Sequence, residues 1–177
     1  MTSNRKVILY IAMSLDGYIA KPNDDLTFLS IAEREGEDYG YADFMKTIDT
    51  VILGRKTFDW VMNQVTAFPY ADLETYVITS TAKISKGKTI FYSGNIIDLV
   101  VKLKRQDGEN IFLVGGSDVI YELQKEKLID EFYISIIPIL LGMGVRLFKE
   151  GLPEHELVLV NSKQFPAGLV QLHYIST

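Results

Sequence analysis

Val51-Ile-Leu-Gly-Arg-Lys-Thr-Phe58 is the stretch whose reading sets the fold. An apolar strand ends at Gly54, and Thr57 to Met62 reads as a helix, so Arg55 and Lys56 stand at or near a helix N-terminus. Cations there oppose the positive end of the helix dipole by about 0.3–1 kcal/mol each, so two of them call for a compensating partner. Free backbone N–H groups, a glycine that permits close approach, the Thr57 hydroxyl and two cations together suit a phosphate. The plainer alternative is a tight turn whose basic side chains point to solvent. The same pattern recurs at Ile111-Phe-Leu-Val-Gly-Gly-Ser117, followed by a helix over Asp118–Gln124 with Ser117 as its expected N-cap. Adjacent glycines let backbone approach a ligand, or simply serve a crowded turn with positive φ. Neither stretch is GxGxxG or GxxxxGK[ST], so dinucleotide-fingerprint and P-loop readings lose support. Two strand–glycine–helix junctions in one small chain favour a dinucleotide lying across the strand ends.

Outward from these junctions, continuous apolar runs mark strands buried on both faces. They are Val7–Met13, Thr50–Leu53, Thr75–Thr79, Thr89–Tyr92, Asn110–Val114 and Glu131–Pro138. Between them, Tyr41, Phe44, Met45 and Ile48 fall on one helical stripe, and Ile96–Leu103 and Val119–Leu128 read as helices. Strands alternating with helices predict an α/β fold with a mainly parallel sheet. The chain ends differently: Glu156–Gln164 and Leu169–Ser176 flank the turn residues Pro166, Ala167 and Gly168, which predicts an antiparallel C-terminal hairpin and a mixed sheet.

The 177 residues suit a single domain spanning 1–177. A net charge of −5 argues against nucleic acid as a partner. The chain has no cysteine, which removes disulfides, thiol catalysis and cysteine-based zinc sites. No signal peptide or membrane span is expected, because the first apolar run breaks at Ser14 and Asp16 and the longest contains Pro138. A cytoplasmic protein is the expectation. Between Asp16 and Asp49 stand nine acids and three bases, an excess that accounts for the whole net charge. A solvated surface explains it simply; a site for a cationic or protonated compound is the alternative. His155 and His173 both fall in the C-terminal hairpin region and read as structural, and no metal site is expected.

Four segments, AMSLDGYIA (12–20), LGRKTF (53–58), VGGSDVIYEL (114–123) and LIDEFYISIIPILLGMGVRLF (128–148), resemble in order the dihydrofolate-reductase-like superfamily, specifically its RibD C-terminal reductase branch from riboflavin biosynthesis. The resemblance implies a three-layer α/β fold, a homodimer, and hydride transfer from NADPH to a small heterocyclic compound. It implies backbone bonds from Ala12 and Ile19 to the nicotinamide carboxamide. Gly54, Arg55, Lys56 and Thr57 would bind phosphates, with Arg55 on the adenosine 2′-phosphate. Thr79, Ser80 and Thr81 would cradle the adenosine half. Val114, Gly115, Gly116 and Ser117 would pass close to the nicotinamide and pyrophosphate, with a cis peptide at Gly115–Gly116. On the substrate side it implies Asp16, Phe44, Trp60 and Ser135, although Phe44 and Trp60 also read as core and Asp16-Gly17 as a turn.

The chain departs from the resemblance in two places. Dihydrofolate reductases hold the pterin with a carboxylate on the first helix near a loop tryptophan; here the loop after Ala20 lacks Trp. The nearest acid by spacing is Asp38, a candidate catalytic acid, with Asp43 as the alternative, yet Gly36 and Gly40 argue against a helix at Asp38. The phosphoribosylamino-pyrimidine of the riboflavin branch needs Arg or Lys near its phosphate, and the loop 14–30 supplies only Lys21. Three functions stay open: a reductase most like 5-amino-6-(5-phosphoribosylamino)uracil reductase, a dihydrofolate reductase or related pterin reductase, and a nucleotide-binding protein without turnover.

Overall fold

A computed structural model describes residues 5–177. The chain runs β1 (Val7–Ser14), β2 (Tyr18–Ala20), α1 (Tyr41–Met45), β3 (Ile48–Gly54), α2 (Arg55–Gln64), β4 (Glu74–Ile78), β5 (Thr89–Tyr92), α3 (Ile96–Lys104), β6 (Asn110–Gly115), α4 (Ser117–Lys125), β7 (Glu131–Ile137), β8 (Val145–Arg146), β9 (Leu157–Gln164) and β10 (Val170–Ser176). Short 3-10 turns at Pro22–Asp24 and Thr27–Ala32 lie between β2 and α1. Eight strands form one sheet in the order β5-β4-β3-β6-β1-β7-β10-β9, and β2 pairs separately with β8. The first six are parallel, and β10 then pairs antiparallel with both β7 and β9. The predicted α/β class, mixed sheet and terminal hairpin are all present.

Period-two alternation assigns the strand side chains to two cores. On one face Leu9, Ile52, Leu113 and Phe132 pack with Leu99, Val100 and Leu103 of α3 and Val119, Ile120 and Leu123 of α4. On the other, Ile8, Val51, Leu53 and Phe112 pack with Phe44 of α1, and with Phe58 of α2 beside them. Ile48 departs from its expected place on a helical stripe. The Thr47 N–H and hydroxyl both donate to the Phe44 carbonyl (3.0 and 2.7 Å), closing α1 after one turn, and Ile48 opens β3 as a buried strand residue. At the opposite end of the sheet the buried Arg5 donates to the Glu109 carbonyl (2.6 Å) and the Thr50 hydroxyl (2.7 Å) and pairs with Asp49, fixing the starts of β3 and β6. Both histidines are structural: His173 bonds Glu131 (2.9 Å) and stacks on Tyr133, and His155 bonds Gln124 (3.0 Å).

Phe132 is fully buried in the middle of the larger core, whereas Ile84 is 94% exposed. Phe132→Ala is expected to lower unfolding free energy by about 3–5 kcal/mol, and Ile84→Ala by less than about 0.5 kcal/mol. Urea melts of both variants check this; similar losses in the two would contradict the packing described.

Candidate functional site

The two glycine corners, far apart in sequence, meet in space. Strands β3 and β6 are neighbours, with Leu53 opposite Gly115, so the chain leaves the sheet at Gly54 and at Gly116 side by side. A Cβ on Gly54 would stand 3.3 Å from Val119 Cγ2 and 3.5 Å from the Gly116 nitrogen, and one on Gly116 only 3.1 Å from Thr57 Oγ1. A side chain at either position would have to push its neighbour aside by a few tenths of an ångström. The Gly115–Gly116 peptide is cis. Gly54 and Gly116 are the N-caps of α2 and α4, and neither helix has a side-chain cap. Ser117, expected as the cap, is instead the first helical residue. The contrast is α3, whose Asn95 Oδ1 accepts from the Ile97 N–H at 2.8 Å. Two uncapped helix starts therefore aim their first N–H groups into one place, where an anion is stabilised.

Cations border this corner. The Arg55 Nε donates to both carboxylate oxygens of Asp59 at 2.7 Å, and its guanidinium carbon lies 5.7 Å from the Phe91 ring centre. These contacts orient the group and leave its terminal nitrogens for a ligand. Lys83 Nζ approaches the same ring to 5.8 Å, a neighbour that sequence alone gave no reason to suspect. Lys56 is exposed beside it. Thr79 closes β4, donating its N–H to the Tyr92 carbonyl (3.0 Å) and accepting from the Thr81 N–H (3.2 Å), with Ser80 and Thr81 exposed on the same rim.

The neighbouring strand is open where the corner ends. Pairing of β1 with β6 stops at Leu9–Leu113, because β6 bulges at Val114, while pairing of β1 with β7 continues to Ser14–Ile137. Ile11 and Ala12 thus present a strand edge that β6 does not occupy. Ile19 in β2 packs against the larger core. Next to this edge lies a cavity of about 620 Å³ lined by Tyr10, Ala12, Tyr39, Tyr41, Ser135 and Leu169, with Glu33 to Asp38 along its mouth.

Its floor is a hydrogen-bonded network that sequence reasoning missed. Gln171 Nε2 donates to the Tyr10 hydroxyl (2.9 Å) and to Ser135 Oγ (3.2 Å), and the Tyr10 hydroxyl donates to the Tyr39 carbonyl (2.9 Å). The signal was present in the alternation Val170-Gln171-Leu172-His173, which puts two polar side chains on one face of β10. Burial pushes the Tyr10 phenol up, the Gln171 hydrogen bond pulls it back, and Asp38 and Glu37 push it up again, so it stays protonated at neutral pH. Tyr41 is likewise raised, chiefly by burial.

The remaining expected residues take different places. Ser135 lines the cavity. Phe44 does not: it is core beneath the cavity, stacked on Tyr10 at 4.7 Å and edge-on to Phe112 at 5.0 Å. Trp60 is on α2, half exposed and outside the cavity lining. Asp38 reaches the mouth, but in the turn before α1 rather than on a helix. Its carboxylate accepts the N–H groups of Ala42 and Gly40 (both 2.9 Å), which hold it below the usual carboxylate range. Asp43 is exposed and paired with Lys46 (2.6 Å). Asp16 fastens two loops, accepting from the Ser14 hydroxyl (2.5 Å), the Gly142 N–H (2.7 Å) and the Leu141 N–H (3.1 Å). Among the described residues no cluster of His, Asp and Glu could hold a metal ion, and no helix is long and apolar enough to cross a membrane.

The model of the RibD C-terminal domain matches residues 5–171. The chain belongs to the RibD C-terminal domain family. Two uncharacterized proteins of Bacillus subtilis are relatives along almost their full length: YwjB, 42% identical over 97% of this chain and 98% of its own, and YyaP, 34% identical over 98% of each. Among solved structures, a protein of Shewanella sp. PV-4 assigned to riboflavin biosynthesis superposes with a TM-score of 0.87 at 31% identity, over 97% of this chain and 99% of its own. Dihydrofolate reductase from Enterococcus faecalis, complexed with NADP(H), superposes with a TM-score of 0.65 at 18% identity over 99% and 98% of the two chains, which makes the fold dihydrofolate-reductase-like.

The loop fastening at Asp16 has a pH signature. Hydrogen bonds, first from the Ser14 hydroxyl and then from the two backbone N–H groups, lower the carboxyl from 3.8 to about 2. A folded-state pKa below the unfolded value stabilises above about pH 4 and is lost as pH falls toward about 2. Carboxyl-carbon NMR should give an Asp16 midpoint near pH 2, with the Leu141 and Gly142 amide shifts moving in step. A midpoint near the ordinary aspartate value would show that the loops are not held this way.

Proposed function

We propose that this protein is an NADPH-dependent reductase that passes hydride to a pyrimidine- or pterin-like heterocycle, most like the 5-amino-6-(5-phosphoribosylamino)uracil reductases of riboflavin biosynthesis. The observation that carries this reading is the meeting of two uncapped helix N-termini over Gly54 and Gly116, beside an orientated Arg55 and an unpaired stretch of strand. In this reading the α2 and α4 N–H groups, Thr57 and Ser117 hold the pyrophosphate. Val114, Gly115 and Gly116 line its path toward the nicotinamide. Arg55, Lys56 and Lys83 face the adenosine 2′-phosphate, and Thr79, Ser80 and Thr81 border the adenosine. The open edge at Ala12 takes the carboxamide, with Ile19 behind it.

The dinucleotide supplies a hydride when bound. The chain's own part is placement: the apolar and aromatic walls of the cavity hold a planar ring beside Ala12, and proximity lowers the barrier. Asp38 is held ionised by two backbone N–H groups, which suits it to anchoring α1 better than to giving a proton. Proton delivery is therefore assigned to water at the open mouth. Ser135 touches the substrate directly, and Asp16 acts on that side only by holding its loop in place. A cytoplasmic location accords with this chemistry. NADPH oxidation with a panel of pterins and ribosylaminopyrimidines tests the reading directly: tight NADPH binding with no turnover on any of them would mark a nucleotide-binding protein instead. Arg55→Ala should weaken NADPH by about tenfold or more while leaving NADH little changed. Equal losses for both, measured by calorimetry, would remove the 2′-phosphate role.

A homodimer is part of the same proposal, supported by the sheet edge. Among the described residues strand β9 pairs only with β10, and its Val158, Leu159 and Val160 are 50–52% exposed. A long, apolar, unprotected edge is a template for pairing with another chain. The wild type is expected to sediment as a dimer at micromolar concentration, and Val158→Lys with Val160→Lys as a monomer. A monomeric wild type would refute this.

A further inference from the structure

We propose that the cavity beside β1 takes an uncharged or cationic heterocycle that carries no phosphate, and that its acidic mouth turns phosphate esters away. This rests on the assignment of that cavity to the substrate. Glu33, Glu35, Glu37 and Asp38 line the mouth against one cation, Arg34. Arg34 folds back on its own loop, its Nη1 donating to the Glu33 carbonyl at 2.6 Å and to the Ile31 carbonyl at 3.3 Å. Lys163 reaches Asp38 electrostatically but stands over the Phe165 ring at 4.5 Å. Lys21, the one base of the preceding loop, is bonded to Thr27 at 2.8 Å and lies 3.9 Å from the Asp25 carboxylate.

The acidic field extends into the cavity, because Asp38 and Glu37 act on the Tyr10 hydroxyl in its wall. A phosphate dianion at this mouth would meet four carboxylates against two cations, Arg34 and Lys163, so the balance of charge repels it. The floor asks for a different ligand. Ser135 is 95% buried, its oxygen accepts from Gln171, and its own hydrogen has no acceptor among the described residues. Gln171, behind the cavity wall, spends its amide nitrogen on Tyr10, Ser135 and the Tyr39 carbonyl, fixing the Ser135 oxygen as an acceptor. A buried hydroxyl with a hydrogen to give matches a ring nitrogen or ring carbonyl, as an aminopyrimidine or a lactam offers. The polar demand of the pocket is met by the ring, and its charge preference is set at the mouth.

The test is equilibrium titration of the full chain, with and without saturating NADPH, against 5-amino-6-(ribosylamino)uracil, its 5′-phosphate, and 2,4-diaminopyrimidine. The dephosphorylated nucleoside is expected to bind about tenfold or more tightly than its phosphate at low salt, with the gap closing at high salt as screening sets in. A variant carrying Glu33→Gln, Glu35→Gln and Glu37→Gln, all in exposed loop, should close it as well; Gln at 37 keeps the acceptor for the Tyr39 N–H. Ser135→Ala should weaken both uracil ligands equally without altering their ratio. Equal or tighter binding of the phosphate overturns the proposal. Failure of all three probes overturns it together with the assignment of the cavity. Failure of NADPH alone, with the order of the probes intact, overturns the reductase reading and leaves this one standing.

Discussion

A helix start leaves backbone N–H groups that something must satisfy, and this fold sets two such starts against each other. Each of α2 and α4 begins at a glycine, neither carries a capping side chain, and the adjacency of β3 and β6 makes the two openings one. The chain caps α3 with Asn95, while α1, like α2 and α4, starts at a glycine with no capping bond from that residue; what sets α2 and α4 apart is that their starts meet. A capping side chain would occupy the space an anion needs, and a Cβ on Gly54 or Gly116 would press on Val119 or Thr57. Other features follow from this arrangement. Asp59 one turn into α2 offsets the charge of Arg55 without closing the corner. The bulge at Val114 swings β6 away from β1 just before the corner, exposing strand edge beside it.

Much of this was legible in the residues because parallel strands buried on both faces read as unbroken apolar runs. The strands β1, β3 to β7 and the terminal hairpin all stand where those runs stand. Reading failed where two periodicities overlap. Tyr41, Phe44, Met45 and Ile48 satisfy a helical stripe, yet α1 is closed by Thr47 after one turn, and Ile48 belongs to the strand that follows. The two-residue strand β8 and three-residue β2 are too short to show alternation and exist through tertiary pairing.

The site divides along the same line. Both glycine corners could be seen locally, but their contact depends on strand order, which no local pattern encodes. Asp38, picked out by its spacing from Gly54, does reach the cavity, but not on a helix. Gly36 and Gly40 both have positive φ, so the acid sits in a turn and spends its oxygens on the start of α1. Phe44 was doubtful for a sound reason, since an aromatic on an apolar stripe is more often core, and it is core here. Gln171 escaped notice because its partners, Tyr10, Tyr39 and Ser135, lie on elements distant in sequence.

The strand ends carry opposite charges at their two sides, and this asymmetry has a consequence for binding. Arg55, Lys56 and Lys83 gather where β3 to β5 end, while Glu33, Glu35, Glu37 and Asp38 gather over β1 and β7. A phosphate-bearing dinucleotide entering this field gains at one side and is repelled at the other, so one orientation is favoured before any specific contact forms. On the proposed reading its uncharged carboxamide end is the part directed toward the acidic side, where the unpaired edge of β1 offers backbone partners in place of cations. A second ligand must then fit the space that remains, beneath four carboxylates and against three tyrosines. On the proposed reading, the separation of charge that seats one ligand by its phosphates also admits the other only without one.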